Sequence, residues 1–97
     1  MSDILCFDVK GNSMLPTYKD GDSISLRRFE GQKIKVNDIV ICSHPFKTNL
    51  KILKRVTKIK DDRKLFLKGD NIDISSSEDS HSFGYIDINN VIAIKRI

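Results

Sequence analysis

The sequence contains no long hydrophobic run. Its longest apolar runs have four residues each, at Ile4–Phe7, Ile39–Cys42 and Val91–Ile94, whereas a membrane-spanning helix needs about 20 apolar residues. The pattern of a secretory signal, a basic region followed by an apolar core, is also missing. We therefore expect a cytoplasmic protein without a transmembrane anchor.

Cysteine is equally scarce. Cys6 and Cys42 form no C-x-x-C pair, so neither a disulfide framework nor a zinc site is predicted. Both lie in apolar runs, which favours buried free thiols over the alternative of one structural disulfide. Cys42 and His44 make a poor metal-ligand pair, because the sequence has one other histidine and no obvious third ligand. We expect no metal and no cofactor.

The basic residues are unevenly distributed along the chain. The net charge is +4, and residues 47–64 hold eight basic and two acidic groups. Such a segment can attract nucleic acid or an anionic membrane surface. Phe46 is the one aromatic residue near these lysines in the sequence, and alternation places the basic side chains on both faces of a predicted strand. We therefore do not expect nucleic acid as a partner, and peripheral membrane contact stays open.

The length of 97 residues and the hydrophobic content of 39% indicate a single domain spanning residues 1–97. Short runs rich in Ile and Val recur about every ten residues between turn residues, and helical periodicity is missing. The predicted strands are Ile4–Lys10, Asp22–Arg28, Ile39–Ser43, Leu50–Ile59, Lys64–Lys68, Tyr85–Ile88 and Val91–Arg96. This pattern predicts an all-β fold, either a curled mixed sheet or a small barrel of short strands.

Turn residues separate these strands. Gly21 and Asn37 are predicted to adopt positive φ in two of the turns. The polar stretch from Gly69 to Gly84 has almost no strand character, and loops of that length are often functional.

One lysine interrupts an apolar strand face. Ile52, Lys54 and Val56 share one face by the two-residue period. If that face is buried, desolvation lowers the pKa of Lys54 toward the range where a neutral amine acts as a base. The alternative is an ordinary strand lysine whose amine reaches solvent.

A serine lies in a sharp corner after the first strand, in the segment Gly11–Thr17. Glycine and proline around Ser13 can expose its hydroxyl beside backbone N–H groups, which is what an acyl-transfer nucleophile and its oxyanion hole require. The alternative is a plain turn serine.

Together these segments resemble the type I signal peptidases. The matching boxes are Gly11–Thr17 with Gly21-Asp22 (G-x-S-M-x-P-T…G-D), Asn37–Val40, Lys54-Arg55-Val56 (K-R-V), and Gly69-Asp70-Asn71 followed by Ser77–Gly84 (G-D-N…S-x-D-S). The resemblance implies the signal peptidase/LexA-like catalytic core and a serine endopeptidase with a Ser-Lys dyad. Ser13 would attack the scissile carbonyl and Lys54 would take its proton. Ser77 would orient the lysine, and Asp79 would help to hold the last box in shape.

The same resemblance implies how the substrate binds. A precursor polypeptide would lie extended between two edges and gain affinity by strand addition. The residues that would contact it are Asp8, Val9, Lys10, Met14, Lys51, Ile52 and Leu53.

The sequence departs from the family pattern in four places. Ten residues precede Gly11, without the usual membrane anchors, and the large insertion that is common between the lysine strand and the last box is missing. His81 stands where arginine is usual. The spacing from Gly69 to Ser77 is two residues longer than is common, so Ser75 and Ser76 are alternatives to Ser77. Small anchorless relatives that resemble this chain include the maturation peptidases of nickel-type superoxide dismutase, and leader removal of that kind is the favoured prediction.

Two other functions remain open. A LexA-like self-cleaving peptidase shares the G-x-S-M turn and the lysine strand, but no helix-turn-helix fits before Gly11, and Ala93 is the one alanine, so an Ala-Gly cleavage site is missing. The other is a catalytically silent peptide-binding module with the same fold.

Overall fold

A computed structural model of the chain describes residues 3–47, 49–72 and 79–95. Within these ranges the strands are β1 (Ile4–Asp8), β2 (Ser23–Arg28), β3 (Ile39–Ser43), β4 (Lys51–Lys60), β5 (Lys64–Lys68), β6 (Ile86–Asp87) and β7 (Val91–Lys95). A single helical turn, α1 (Ser80–Phe83), precedes β6, and a 3₁₀ turn (Ile88–Asn90) joins β6 to β7.

The strands form one sheet in the order β1-β2-β7-β3-β4-β5-β6. The all-β prediction is therefore confirmed. Every strand pair in the described sheet is antiparallel, so this sheet is not mixed, and β1 and β6 lie at its two edges rather than closing a barrel. The last strand, β7, lies near the middle, between β2 and β3.

The hydrophobic core covers both faces of the central strands. On β3, Val40 and Cys42 belong to a cluster with Val56, Leu65 and other side chains. Ile41 points to the opposite face by the two-residue period and packs in a second cluster whose buried members are Val9, Ile24, Leu26, Ile41 and Ala93. Because Ile39–Cys42 of β3 are buried on both faces, these four residues are all apolar, whereas buried and more exposed residues alternate along β2 and β5.

The turns follow the sequence prediction in part. Gly21 has φ +91° and Asn37 has φ +83°, as expected for turns that need a left-handed residue. The predicted loop Gly69–Gly84 contains α1, which the sequence did not predict because a single turn is too short to show helical periodicity. Residues 73–78 of that loop lie outside the described ranges.

The two cysteines occupy different environments. Cys42 is fully buried in β3, and burial raises the pKa of its thiol to about 12. The prediction that Cys6 is buried is wrong, since Cys6 lies on the exposed side of the edge strand β1, 3.6 Å from the Ser25 hydroxyl. Both thiols are free. Separately, no helix within the described ranges is long and apolar enough to cross a membrane.

Candidate active site

The turn that carries Ser13 continues from β1. Val9 extends the β1–β2 pairing through two backbone hydrogen bonds. Its N–H donates to the Asp22 carbonyl, and its carbonyl accepts from the Gly21 N–H. Gly11 then adopts φ +78°. The Met14 side chain is 1% exposed and fixes the turn to the body of the protein, while Ser13 stays partly exposed.

Lys54 lies in the middle of β4 on its buried face. Its side chain is 4% exposed, and its neighbours on that face, Ile52 and Val56, are 8% and 0% exposed. Val40 of β3 is its partner across the strand pair. The predicted buried lysine is therefore present in the fold, in surroundings that penalise a charged ammonium relative to a neutral amine.

Ser13 and Lys54 line the same cavity, whose volume is about 360 Å³. The end of β1 and the serine turn form one wall, and the start of β4 forms the other. The predicted site residues that line it are Asp8, Val9, Lys10, Ser13, Met14, Lys51, Ile52, Leu53 and Lys54. Ile24 of β2 and Ile41 of β3 also line the cavity. These two apolar residues were not predicted from the sequence, because assigning them requires knowledge of which strands are neighbours.

The β4 wall has a backbone edge facing the cavity. β4 pairs with β3 over Lys51–Arg55, but its pairing with β5 begins only at Arg55. Within the described sheet, the stretch Lys51–Leu53 therefore has a neighbouring strand on one side only. An extended peptide is able to pair with such an edge.

The segment Gly69–Asn71, which follows β5, packs against the backbone of the serine turn. The Asn71 N–H donates to the Ser13 carbonyl at 2.9 Å, and the Asn71 side-chain amide donates to the Asn12 carbonyl at 2.9 Å. Gly69 packs so closely that a Cβ added there would lie 2.5 Å from the Ser13 carbonyl oxygen. The backbone of the serine is thus held in place by residues far away in the sequence.

An ion pair connects the same segment to the lysine strand. Arg55, the residue after Lys54, donates two hydrogen bonds of 2.8 Å to the Asp70 carboxylate and a third to the Asn37 carbonyl. The Thr17 hydroxyl also donates to Asp70. Asp70 therefore joins the serine turn to β4.

These contacts change the acid-base behaviour of the pair. Burial raises the pKa of Asp70, but the hydrogen bonds from Arg55 and Thr17 and the charge of Arg55 outweigh this effect, so the pKa is lowered. The hydrogen bond to Asp70 raises the pKa of Arg55, against the opposite effect of burial. Both groups are thus held in their charged forms. Although these residues lie in the boxes noted in the sequence, their joint positioning role was not predicted.

Of the two predicted supporting residues, the described structure includes Asp79. Its side chain is buried and caps α1 by accepting a 2.9 Å hydrogen bond from the His81 N–H. The His81 Nδ1 lies 3.3 Å from the same carboxylate oxygen. Asp79 is not among the residues that line the cavity. Ser77 lies outside the described residues, as do Ser75 and Ser76.

The described residues contain no group of three or more His, Cys, Asp or Glu side chains arranged to hold a metal ion. The cavity is lined by a serine hydroxyl, a buried lysine amine and backbone amides. Serine peptidases that use a lysine rather than a histidine as base employ the same groups.

A family model described as Peptidase S24-like matches residues 1–94, and the chain belongs to this family. No curated protein gives a significant match to the sequence. The family supports a serine peptidase-type function on an all-β fold. It is equally compatible with the LexA-like type and does not single out the signal peptidase type that the sequence boxes resemble.

Proposed function

We propose that the protein is a serine endopeptidase in which Ser13 is the nucleophile and Lys54 is the general base. The observation that carries the proposal is the presence of a partly exposed serine and a buried lysine in the wall of one cavity. A lysine acts as a base only as the neutral amine, and burial between Ile52 and Val56 favours that form.

The reaction follows from these roles. The Ser13 Oγ attacks the carbonyl carbon of the scissile bond, and its proton passes to the Lys54 Nζ. The negative charge that develops on the carbonyl oxygen is stabilised by backbone N–H donors, with the Ser13 N–H as the proposed first donor. Lys54 then gives the proton to the departing amine, and water releases the acyl group from Ser13 with Lys54 again as base.

We further propose that the substrate binds as an extended strand. Asp8, Val9 and Lys10 would contact one side of the peptide, and Lys51, Ile52 and Leu53 would pair with the other. Met14, Ile24 and Ile41 give the cavity an apolar floor. Such a floor selects apolar side chains next to the cleaved bond over charged ones.

The finer form of the proposal is removal of an N-terminal leader from a precursor protein, with the precursor of nickel-type superoxide dismutase as the first substrate to test. The self-cleaving alternative is separated from it by a simple comparison. A self-cleaving protein converts itself at a rate independent of protein concentration, whereas a leader peptidase stays intact and cuts an added precursor.

The test of the dyad uses Ser13→Ala and Lys54→Met against a library of natural peptides, with new termini identified by mass spectrometry. We expect both variants to lose cleavage, with an unchanged circular dichroism spectrum. Ser25→Ala and Lys35→Met, at exposed positions that do not line the cavity, serve as matched controls and should cut at the wild-type rate. Cleavage by Ser13→Ala at the wild-type rate would show that another group is the nucleophile.

The orienting serine is tested in the same assay. We propose that Ser77 hydrogen-bonds Lys54, so Ser77→Ala should slow cleavage less than loss of Lys54 does. Ser75→Ala is its matched control. If Ser75→Ala is the damaging change, the last box is aligned two residues out of register.

A further inference from the structure

A second surface, separate from the cavity, combines lysines with aromatic rings. It lies on the outward side of β4 and β5 and at the start of β6. We call it the basic aromatic face, and it consists of Lys58, Lys60, Lys64, Phe66, Lys68 and Tyr85. None of these residues lines the candidate active site.

A β-bulge in β4 creates this face. Val56 of β4 pairs with Leu67 of β5, and Lys58 pairs with Phe66, the residue next to Leu67. Thr57 therefore has no partner of its own and is the extra residue of the bulge. The extra residue shifts the alternation of β4 by one position. Lys58 and Lys60 therefore point outward, whereas strict alternation would place them on the same side as the buried Val56.

The fold also supplies aromatic residues that are distant in sequence. The Lys58 Nζ lies 5.3 Å from the centre of the Phe66 ring, and the Lys60 Nζ lies 6.0 Å from that of Tyr85. The two rings are 5.3 Å apart in an edge-to-face arrangement. Along the sequence, Phe46 is the one aromatic residue near the lysines, and strict alternation splits the basic residues between two faces, so nucleic acid was not expected as a partner. In the fold, neither condition applies to Lys58 and Lys60.

The charge of the face is positive. Lys64 forms an ion pair of 3.1 Å with Asp87, and Arg63 approaches the same carboxylate at 3.9 Å. Within the described ranges, Lys58, Lys60 and Lys68 form no ion pair. Asp61 and Asp62 lie in the turn between β4 and β5, at the far end of the face. Three lysines are thus left to contact an anion.

We propose that the basic aromatic face binds single-stranded nucleic acid. Exposed rings on a sheet stack with unpaired bases, and lysines beside them contact the phosphates of the same strand. Tyr85 is 42% exposed and is the principal stacking residue. A membrane is the less suitable partner, because Phe66 is only partly exposed and the face therefore offers one well-exposed ring, that of Tyr85, rather than a broad apolar patch.

The experiment measures fluorescence anisotropy of labelled 20-nucleotide oligo-dT and oligo-U with the full chain. Lys58→Gln combined with Lys60→Gln should weaken binding at least ten-fold. The plot of log K against log salt concentration should become less steep by about 1.4, which is about 0.7 for each lysine removed. Tyr85→Ala should weaken binding about five-fold or more. Lys58→Arg with Lys60→Arg keeps the charge and should keep the affinity.

The control is Lys19→Gln combined with Lys35→Gln, which makes the same change in net charge at exposed positions elsewhere. The proposal is overturned if this control weakens binding as much as the double variant on the face. It is also overturned if no saturable binding occurs at 50 mM salt, or if Tyr85→Ala is without effect and heparin competes as well as oligo-dT. Binding to phosphatidylserine vesicles without binding to either oligonucleotide would identify the face as a membrane surface instead.

Discussion

Replacing Gly69 by alanine tests whether the candidate active site depends on the segment behind the serine turn. A Cβ at this position would lie 2.5 Å from the Ser13 carbonyl oxygen and 3.3 Å from the Ser13 Cβ. Real Cβ atoms essentially never approach other atoms closer than 3.0 Å, so the backbones of Gly69 and Ser13 have to separate by about 0.5 Å or more. Both obstructing groups belong to the main chain or its first side-chain atom, and no flexible side-chain end can absorb the movement.

The expected effects follow from this displacement. Overpacking costs about 1–3 kcal/mol in free energy of unfolding, which urea denaturation measures. A displacement approaching 1 Å at a nucleophile costs up to about 100-fold in rate, so we expect kcat/KM to fall by about one to two orders of magnitude. The loss should appear mainly in kcat, because the apolar floor of the cavity is unchanged.

A matched control separates this positioning effect from general destabilisation. Gly31 has φ +93° with nothing within 4 Å of an added Cβ, and it does not line the cavity. Gly31→Ala should therefore lower stability by about 1 kcal/mol through backbone strain alone and leave kcat/KM of the folded protein unchanged. If Gly69→Ala keeps kcat/KM within two-fold of wild type, or if Gly31→Ala loses as much activity, the reasoning is refuted.

Three further predictions concern single ionisable groups. Asp70→Asn should lower the free energy of unfolding by about 2–3 kcal/mol at pH 7, because Arg55 loses a charge-assisted partner. Folding lowers the pKa of Asp70, so its stabilisation is present above about pH 4 and is lost as the pH falls through the folded-state pKa. Urea denaturation from pH 7 to 2 should therefore show a smaller loss of stability in acid for the variant than for the wild type, and equal losses would contradict this. Cys6 should react with a thiol reagent in the native protein, whereas Cys42, whose pKa is raised to about 12, should react only in denaturant, and two native equivalents would contradict its burial. NMR titration of the Lys54 Nζ should give a midpoint below the value of about 10.4 typical of exposed lysines, and an unshifted midpoint would argue against its role as base.

The strands could be predicted from the sequence to the extent that they depend on local pattern. Ile39–Ser43 and Lys64–Lys68 were predicted with the bounds they have in the structure, because each is an Ile-rich or alternating run between turn residues. The bulge at Thr57 was not predictable, since it is defined by the register with β5 rather than by β4 itself. The exposure of Cys6 likewise depends on β1 being an edge strand, which an apolar run does not reveal.

In the candidate site, too, some residues are predictable from local sequence and others depend on how the strands pair. Ser13 and Lys54 were predicted from their local sequence, and the seven proposed substrate contacts beside them came from the family resemblance; all nine line one cavity in the structure. Ile24 and Ile41 in the floor were missed, since they come from two further strands and carry no chemistry of their own. The ion pair between Arg55 and Asp70 joins residues fifteen positions apart and depends on how the segment after β5 returns toward the serine turn.

The position of β7 in the sheet has a consequence for the newly synthesised protein. The β1–β2 hairpin provides one wall of the cavity, the β3–β4 hairpin provides the other, and within the sheet the two are joined by β7 alone. A chain still being translated can form both hairpins early, but it has no strand to bring them together until residues 91–95 leave the ribosome. The sheet that holds Ser13 and Lys54 in the walls of one cavity is therefore complete only after synthesis of this strand, and an unfinished chain lacks the full framework of the proposed active site.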